Sequence, residues 1–164
     1  MKFSLIICTY LRPKPLLKLL QSVQEQTLYP DEILIIDGST NEETETVIKE
    51  NHFYNLNYFM VPVEHRGLTR QRNYGIARVG KEMEVVCFLD DDTVLVPDYF
   101  EQLLKTYLVY PDALGVGGYI NNETPWDKVY KNEVLIINEF SYDGWKRKDG
   151  SRFVLRKKLG LDSD

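Results

Sequence analysis

The hydrophobic pattern of this chain alternates between two periods. Short runs of apolar, mostly β-prone residues are separated by longer segments whose apolar side chains recur at helical spacing. The runs that predict strands are residues 3–8, 32–36, 57–63, 85–89 and 113–120. The segments that predict helices are residues 15–26, 43–51, 68–79 and 97–110. Strands and helices that alternate in this way predict an α/β fold, with a mainly parallel sheet and helices on both faces.

The alternation stops near residue 121. Residues 133–139 and 152–155 predict two more strands joined by a polar hairpin, in the most basic part of the sequence. We interpret those basic side chains as a solvated face rather than a docking surface. The pattern therefore divides the chain into a core, residues 1–120, and a second region, residues 121–164. Because this second region ends without a closing element, we expect it to be incomplete and the chain to be part of a longer protein.

Composition and charge narrow the class of protein. The 164 residues are 43% hydrophobic and 27% charged, which is typical of a soluble domain large enough to bury a core. The net charge of −5 argues against a nucleic-acid partner. The apolar run at residues 3–8 is too short for a signal peptide or a membrane span. We expect a cytoplasmic protein, at most peripherally associated with a membrane, whose Cys8 and Cys87 are reduced and buried.

Three consecutive carboxylates, Asp90, Asp91 and Asp92, follow the apolar run 85–89. That run predicts a strand buried on both faces, and ligands of open α/β sheets bind at the carboxyl ends of strands. Adjacent carboxylates repel one another, so a cation should offset them. Oxygen ligands of this kind suit Mg²⁺ or Mn²⁺. The alternative is a solvated acidic turn before the helix that Pro97 opens.

Polar residues also follow the first two predicted strands. Thr9 and Tyr10 follow the first, and Asp37 and Ser39 follow the second. In a parallel sheet all these residues share one edge, which suits a nucleoside diphosphate held by carboxylates, an aromatic ring, an arginine and a metal ion. The sequence lacks the glycine-rich phosphate-binding loop of ATPases and the glycine fingerprint of dinucleotide-binding proteins.

Four segments resemble motifs of the family 2 glycosyltransferases, which have the GT-A fold. They are residues 4–10, residues 31–40, the Gly67-Leu68 to Ile76 segment, and residues 88–92 with Pro97 behind them. Each motif is weak alone, but the four occur in the family's order between residue 3 and about residue 110. The resemblance implies a GT-A fold in which residues 1–120 bind the donor and residues 121–164 begin the acceptor side.

The resemblance also implies a function. Such an enzyme moves a sugar from a nucleoside diphosphate sugar, most often a UDP-sugar, to a glycan or lipid-linked acceptor. The reaction would be metal-dependent and inverting, in the synthesis of a polysaccharide or another surface glycan.

Roles for individual residues follow from the resemblance. Thr9 and Tyr10 would contact the nucleotide base, and Asp37, with Ser39 beside it, the base or ribose. Arg70, in preference to Arg72, would approach the base or diphosphate. In the acidic triplet, Asp92 would ligate Mn²⁺ or Mg²⁺ and Asp91 would contact the ribose. Asp90 would serve either the ribose or the metal site.

The catalytic base is unassigned. The family's base lies in a carboxylate pair after a Gly-Gly segment, and no such pair follows Gly117-Gly118. We therefore expect the base beyond Asp164. Two alternatives stay open: a truncated or non-catalytic domain that binds sugar nucleotides, and a haloacid-dehalogenase-like phosphatase with Asp90 as nucleophile.

Overall fold

The computed structural model of the chain describes residues 1–118. Its strands are β1 (Phe3–Thr9), β2 (Glu32–Asp37), β3 (Leu56–Met60) and β4 (Val85–Asp90). Its helices are α1 (Pro13–Gln24), α2 (Glu43–Asn51), α3 (Leu68–Ile76) and α4 (Tyr99–Val109), with a short 3₁₀ turn at Val63–His65. Every strand and helix predicted before residue 111 is present, with ends that differ by a few residues.

The four strands form one parallel sheet in the order β3-β2-β1-β4. The register pairs Thr9 with Asp37 on one side and Cys8 with Asp90 on the other. Three carboxyl ends that carry predicted site residues therefore lie side by side. This arrangement confirms the predicted α/β class with a parallel sheet.

Helices cover both faces of the sheet. On one face, the β1 side chains Phe3, Leu5 and Ile7 lie in a buried cluster with residues of α1, α2 and α4. On the other face, Ile6 of β1 and two β2 residues form a smaller cluster, against which Tyr74 of α3 packs. Both faces of β1 are therefore apolar, which explains its uninterrupted hydrophobic run.

The face that α3 buries differs from the prediction. The helical periodicity of residues 68–79 predicts that Ile76, Ala77 and Val79 face the core, but α3 ends at Ile76, and Ile76 and Ala77 are exposed. Val79, which follows the helix, packs on the smaller cluster as predicted. The buried residues of α3 are Gln71 and Gly75. The reason is that Gly75 has no side chain, so the helix approaches the sheet closely along that line.

Strand β4 is also more open than predicted. We expected burial on both faces, but the side chain of Phe88 is 40% exposed. In the part of the chain that the structure describes, β4 pairs with β1 alone and the Arg72 guanidinium lies 5.7 Å from the Phe88 ring.

The predicted strand at residues 113–120 has no strand geometry over residues 113–118. Residues 119–120, the two predicted strands after residue 121 and the second region fall outside the described residues. Within residues 1–118 no helix is long and apolar enough to cross a bilayer.

Candidate functional site

A cleft of about 570 Å³ opens at the carboxyl ends of β1 and β4. Its walls come from the residues at and after the ends of those strands and from the segment that begins α3. The lining residues are Cys8, Thr9, Tyr10, Arg12, Arg66, Gly67, Leu68, Gln71, Asp90, Asp91 and Asp92. The cleft therefore contains Thr9, Tyr10 and the acidic triplet, five of the residues predicted to form one site.

Asp91 is the buried member of the acidic triplet, with 6% of its surface exposed. The hydroxyl of Thr9 donates to its Oδ2 at 2.7 Å, and Nη1 of Arg12 donates to its Oδ1 at 2.8 Å. Burial raises the pKa of Asp91, while the hydrogen bond from Thr9 and the charge of Arg12 act in the opposite direction. Both carboxylate oxygens are thus engaged within the protein.

Arginines also pair with the two exposed aspartates. Nη2 of Arg12 donates to Oδ2 of Asp92 at 3.0 Å, so one guanidinium bridges Asp91 and Asp92. Nη2 of Arg72 donates to Oδ1 of Asp90 at 3.2 Å. The hydrogen bond to Asp92 and the charge of Asp91 raise the pKa of Arg12. The countercharge that the sequence analysis sought from a divalent cation is partly supplied by these arginines.

The loop between β1 and α1 orients Arg12. Leu11 has φ = 53°, a left-handed conformation that is uncommon for leucine. Its backbone N–H donates to Oγ of Ser39 at 2.7 Å, and Pro13 begins α1 directly after Arg12. The hydrogen bond from the neighbouring loop helps to hold the strained residue, and the chain then turns into the helix.

Asp37 and Ser39 are fully buried and do not line the cleft. Oδ1 of Asp37 accepts from the backbone N–H of Ser39 at 2.7 Å, and its Oδ2 accepts from the hydroxyl of Tyr58 at 2.8 Å. In this structure the pair shapes the loop that supports Leu11. A direct nucleotide contact for either residue stays a prediction.

Gln71 connects the strand ends to α3. Its Nε2 donates to the carbonyl oxygens of Thr9 at 3.0 Å and Ile36 at 2.7 Å, and its Oε1 accepts from the N–H of Gly67 at 3.3 Å. Gly67 itself has φ = 107°, which favours glycine. One buried amide therefore fixes the floor of the cleft relative to the start of α3.

Arg66, rather than Arg70, lies in the cleft. Arg70 is not among the lining residues, and its Nη1 donates to the carbonyl oxygen of Glu64 at 3.3 Å. Nη2 of Arg66 donates to the carbonyl oxygen of Ser39 at 3.4 Å, while its buried Nε has no partner among residues 1–118. Arg66 is therefore the arginine that lines the cleft beside the Gly67-Leu68 motif. The predicted contact of Arg70 with a nucleotide is not tested by this arrangement.

The carboxylates at the mouth of the cleft have the right chemistry for Mg²⁺ or Mn²⁺. The side chains of Asp90 and Asp92 are 68% and 55% exposed, and their oxygens are the hard ligands such ions prefer. Nevertheless, no group of three His, Cys, Asp or Glu side chains within residues 1–118 is gathered for metal binding. The residues fit a metal held partly by protein and partly by a ligand.

Three cleft residues were missed by the sequence analysis: Arg12, Arg66 and Gln71. Arg12 had a detectable signal, since three adjacent aspartates require positive charge and the loop after β1 ends at the same sheet edge. Arg66 and Gln71 flank the Gly67-Leu68 motif, but nothing in their spacing distinguishes them from Arg70 and Arg72.

Comparison with known proteins identifies the class. The sequence matches the Glycosyl transferase family 2 model over residues 4–159, and the chain belongs to that family. A glucosyl-dolichyl phosphate glucuronosyltransferase of Haloferax volcanii is 34% identical over 124 residues, 73% of this chain and 38% of that protein. Glycosyltransferase GlyA of Streptococcus pneumoniae is 28% identical over 151 residues, 84% of this chain and 21% of that protein. The chain thus spans well under half the length of both relatives.

A solved structure supports the fold. TarS 1–349 of S. aureus, crystallised in complex with UDP-GlcNAc, superimposes with a TM-score of 0.58 at 24% identity, over 76% of this chain and 39% of that chain. At this identity the likeness establishes the fold alone. The GT-A fold and the family expected from the four motifs are confirmed.

Proposed function

We propose that this chain forms the donor-binding part of a glycosyltransferase, and that its cleft binds a nucleoside diphosphate sugar. The observation that carries the proposal is the grouping of Thr9, Tyr10, Arg66 and the acidic triplet around one cleft at the carboxyl edge of a parallel sheet. A UDP-sugar is the preferred donor, because TarS was crystallised with UDP-GlcNAc and with UDP.

The cleft offers complementary groups for each part of such a donor. The ring of Tyr10 is 52% exposed and can stack on a base. The guanidinium of Arg66 lines the cleft and supplies a positive charge suited to a phosphate oxygen or a base carbonyl. Carboxylates of the triplet can accept hydrogen bonds from ribose hydroxyls. Aromatic, cationic and anionic groups therefore occur together, as a nucleotide sugar requires.

Asp92, assisted by Asp90, would hold Mn²⁺ or Mg²⁺ together with the donor. When bound, such an ion supplies positive charge to the diphosphate leaving group. The chain's own residues orient the donor: Thr9 fixes the Asp91 carboxylate, and Gln71 fixes the strand end beneath it. Inversion at the anomeric carbon, a base beyond Asp164, and a glycan or lipid-linked acceptor remain parts of the proposal. So do a role in polysaccharide synthesis and a cytoplasmic, at most peripherally membrane-associated, location.

Two alternative functions were considered from the sequence, a phosphatase and a non-catalytic binding domain. Membership of family 2 removes support for a haloacid-dehalogenase-like phosphatase. A domain that binds sugar nucleotides without turnover would have the same cleft, so transfer assays are needed to distinguish it from an active enzyme.

The test is calorimetric titration of the 164-residue chain with UDP, GDP and dTDP, each with and without Mn²⁺. We expect one nucleotide, UDP, to bind with metal-enhanced affinity. Asp92→Asn should abolish that enhancement, since it removes the negative charge of the exposed carboxylate that would hold the metal. The matched control is Asp112→Asn, which changes an exposed aspartate outside the cleft and should leave the titration unchanged.

Two results would contradict the proposal. One is the absence of binding by all three nucleotides in a folded sample. The other is equal metal enhancement in the wild-type chain and in Asp92→Asn, which would place the ion elsewhere.

A further inference from the structure

A divalent cation that binds Asp92 would have to compete with an ion pair already present in the cleft. The guanidinium of Arg12 bridges Asp91 and Asp92 at 2.8 and 3.0 Å, using a separate nitrogen for each carboxylate. Asp92 is the carboxylate that the proposed function assigns to the metal. As long as Arg12 occupies it, a cation approaching Asp92 meets a positive charge within a few ångströms.

Electrostatics also governs the approach of the nucleotide. A diphosphate entering beside three aspartates is repelled by them unless cations accompany it. Arg12 is a cation that lines the cleft, and its side chain is 47% exposed, so it can leave the carboxylates without vacating a packed core. If Arg12 moved from the carboxylates to the phosphate, it would no longer repel the metal ion at Asp92. It would also offset the repulsion between the diphosphate and the aspartates.

We propose that Arg12 is an exchangeable counterion of the donor site: it neutralises Asp91 and Asp92 before binding and moves to the diphosphate when nucleotide and metal enter together. This inference rests on the proposed function, because it assigns the incoming groups to a nucleoside diphosphate and its metal. Arg12 is a positioning residue for the empty site and a ligand contact in the occupied one. The exchange makes binding of metal without nucleotide weak, and so couples the two ligands.

The local backbone supports an arginine held in place by its loop. Leu11, directly before Arg12, adopts a left-handed conformation that is supported by the hydrogen bond to Ser39. Such conformations persist where surrounding structure determines them, and they occur often at ligand-binding loops. The β1–α1 loop therefore fixes the backbone of Arg12 beside the triplet, while its half-exposed side chain stays free to exchange partners.

The test compares wild type, Arg12→Gln and Arg72→Gln in three titrations. The first uses Mn²⁺ alone and measures free Mn²⁺ by electron paramagnetic resonance. The second uses UDP alone, and the third uses UDP with Mn²⁺. In Arg12→Gln, the affinity for Mn²⁺ alone should rise about fivefold, the factor expected when an exposed ion pair at the strong end of the usual range is removed. The affinity for UDP alone should fall about tenfold, because a charged hydrogen bond to phosphate is lost. A merely structural role for Arg12 would not produce these opposite changes.

Arg72→Gln is the matched control for net charge. It removes one positive charge from the same cluster, but it leaves Asp91 and Asp92 paired with Arg12. We expect a clearly smaller rise in Mn²⁺ affinity. An equal rise in both variants, or an unchanged or undetectable Mn²⁺ affinity in Arg12→Gln, would overturn the proposal.

The outcomes also separate this inference from the proposed function. If wild type binds UDP with Mn²⁺ but Arg12→Gln shows no opposite changes, the exchange is wrong and the donor site stands. If wild type binds no nucleotide with or without metal, the proposed function and the exchange toward phosphate both fail.

Discussion

At the scale of single residues, the cleft depends on a carboxylate held away from water. Asp91 is buried, accepts from Thr9 and Arg12, and has a pKa that burial raises above 3.8. The folded chain binds a proton at Asp91 more tightly than the unfolded chain does. The protonated carboxyl therefore stabilises the fold, and this contribution is complete below pH 3.8. That contribution declines as the pH rises through the folded-state pKa.

The pKa of Asp91 is directly measurable. We expect a titration of the side-chain carboxyl carbon by NMR to give a pKa above 3.8 in the wild-type chain. In Arg12→Gln the pKa should rise further, because the neighbouring positive charge is lost while burial remains. A wild-type pKa at or below 3.8, or a fall in Arg12→Gln, would contradict this description of the site.

The support beneath the cleft depends on a second buried carboxylate, Asp37. Burial, followed by the Asp37 carboxylate, raises the pKa of Tyr58, so the Tyr58 hydroxyl remains a donor to Oδ2 of Asp37. Tyr58→Phe leaves that buried oxygen without its partner. We expect it to lower the free energy of unfolding by about 1–3 kcal/mol, measured by urea denaturation.

The matched control is Tyr54→Phe, since the side chain of Tyr54 is 79% exposed. It should leave the free energy of unfolding within about 0.5 kcal/mol of wild type. Equal effects of the two variants would show that the Tyr58–Asp37 hydrogen bond does not stabilise the loop.

Only some of the residues that form the site could be predicted from the sequence. Asp90, Asp91 and Asp92 are at the edge of the sheet as expected, because an apolar run ending in carboxylates specifies a strand end. For Arg12 the sequence indicated only that the aspartates need a positive charge, because leucine carries no signal for the left-handed conformation that Leu11 adopts directly before it. The inward orientation of Asp37 was equally hidden, because its partner Tyr58 belongs to a different strand.

At the scale of elements, α3 shows how a missing side chain positions a helix. A Cβ added to Gly75 would lie 2.9 Å from Cγ2 of Ile6 and 3.2 Å from Cγ1 of Ile36, both on the sheet. This close approach brings Gln71 onto the ends of β1 and β2 and leaves Ile76 exposed. Helical periodicity predicted α3 itself. The prediction of its buried face took apolar residues to face the sheet, whereas in the structure Gly75 faces it.

Gly75→Ala tests this packing. Alanine is favoured over glycine within a helix by about 1 kcal/mol. Overpacking against buried, β-branched Ile6 costs typically about 1–3 kcal/mol. We expect a net loss of about 1 kcal/mol in the free energy of unfolding. Thr69→Ala, at an exposed position of the same helix, should be neutral or slightly stabilising; a stabilised Gly75→Ala would contradict the close packing.

At the scale of the whole molecule, the described residues form a parallel sheet whose carboxyl edge is assembled from segments that are distant in the sequence. The order β3-β2-β1-β4 places β4 beside β1, with Phe3 paired to Val85 and Cys8 to Asp90, although β2 and β3 lie between these strands in the sequence. Alternating strands and helices were sufficient to predict this class of fold. The strand at 113–120 was not found over residues 113–118, where three glycines within 115–118 favour irregular backbone over a packed strand.

The central claim is that the cleft between the ends of β1 and β4 binds a nucleoside diphosphate. The most direct test is to add UDP and Mg²⁺ to the isotope-labelled 164-residue chain and record ¹H–¹⁵N spectra. We predict that the largest shifts fall on residues 9–12, 66–71 and 90–92, and that trace Mn²⁺ broadens residues 90–92 first. Shifts that cluster away from these three segments, or no shifts at millimolar UDP, would contradict the account.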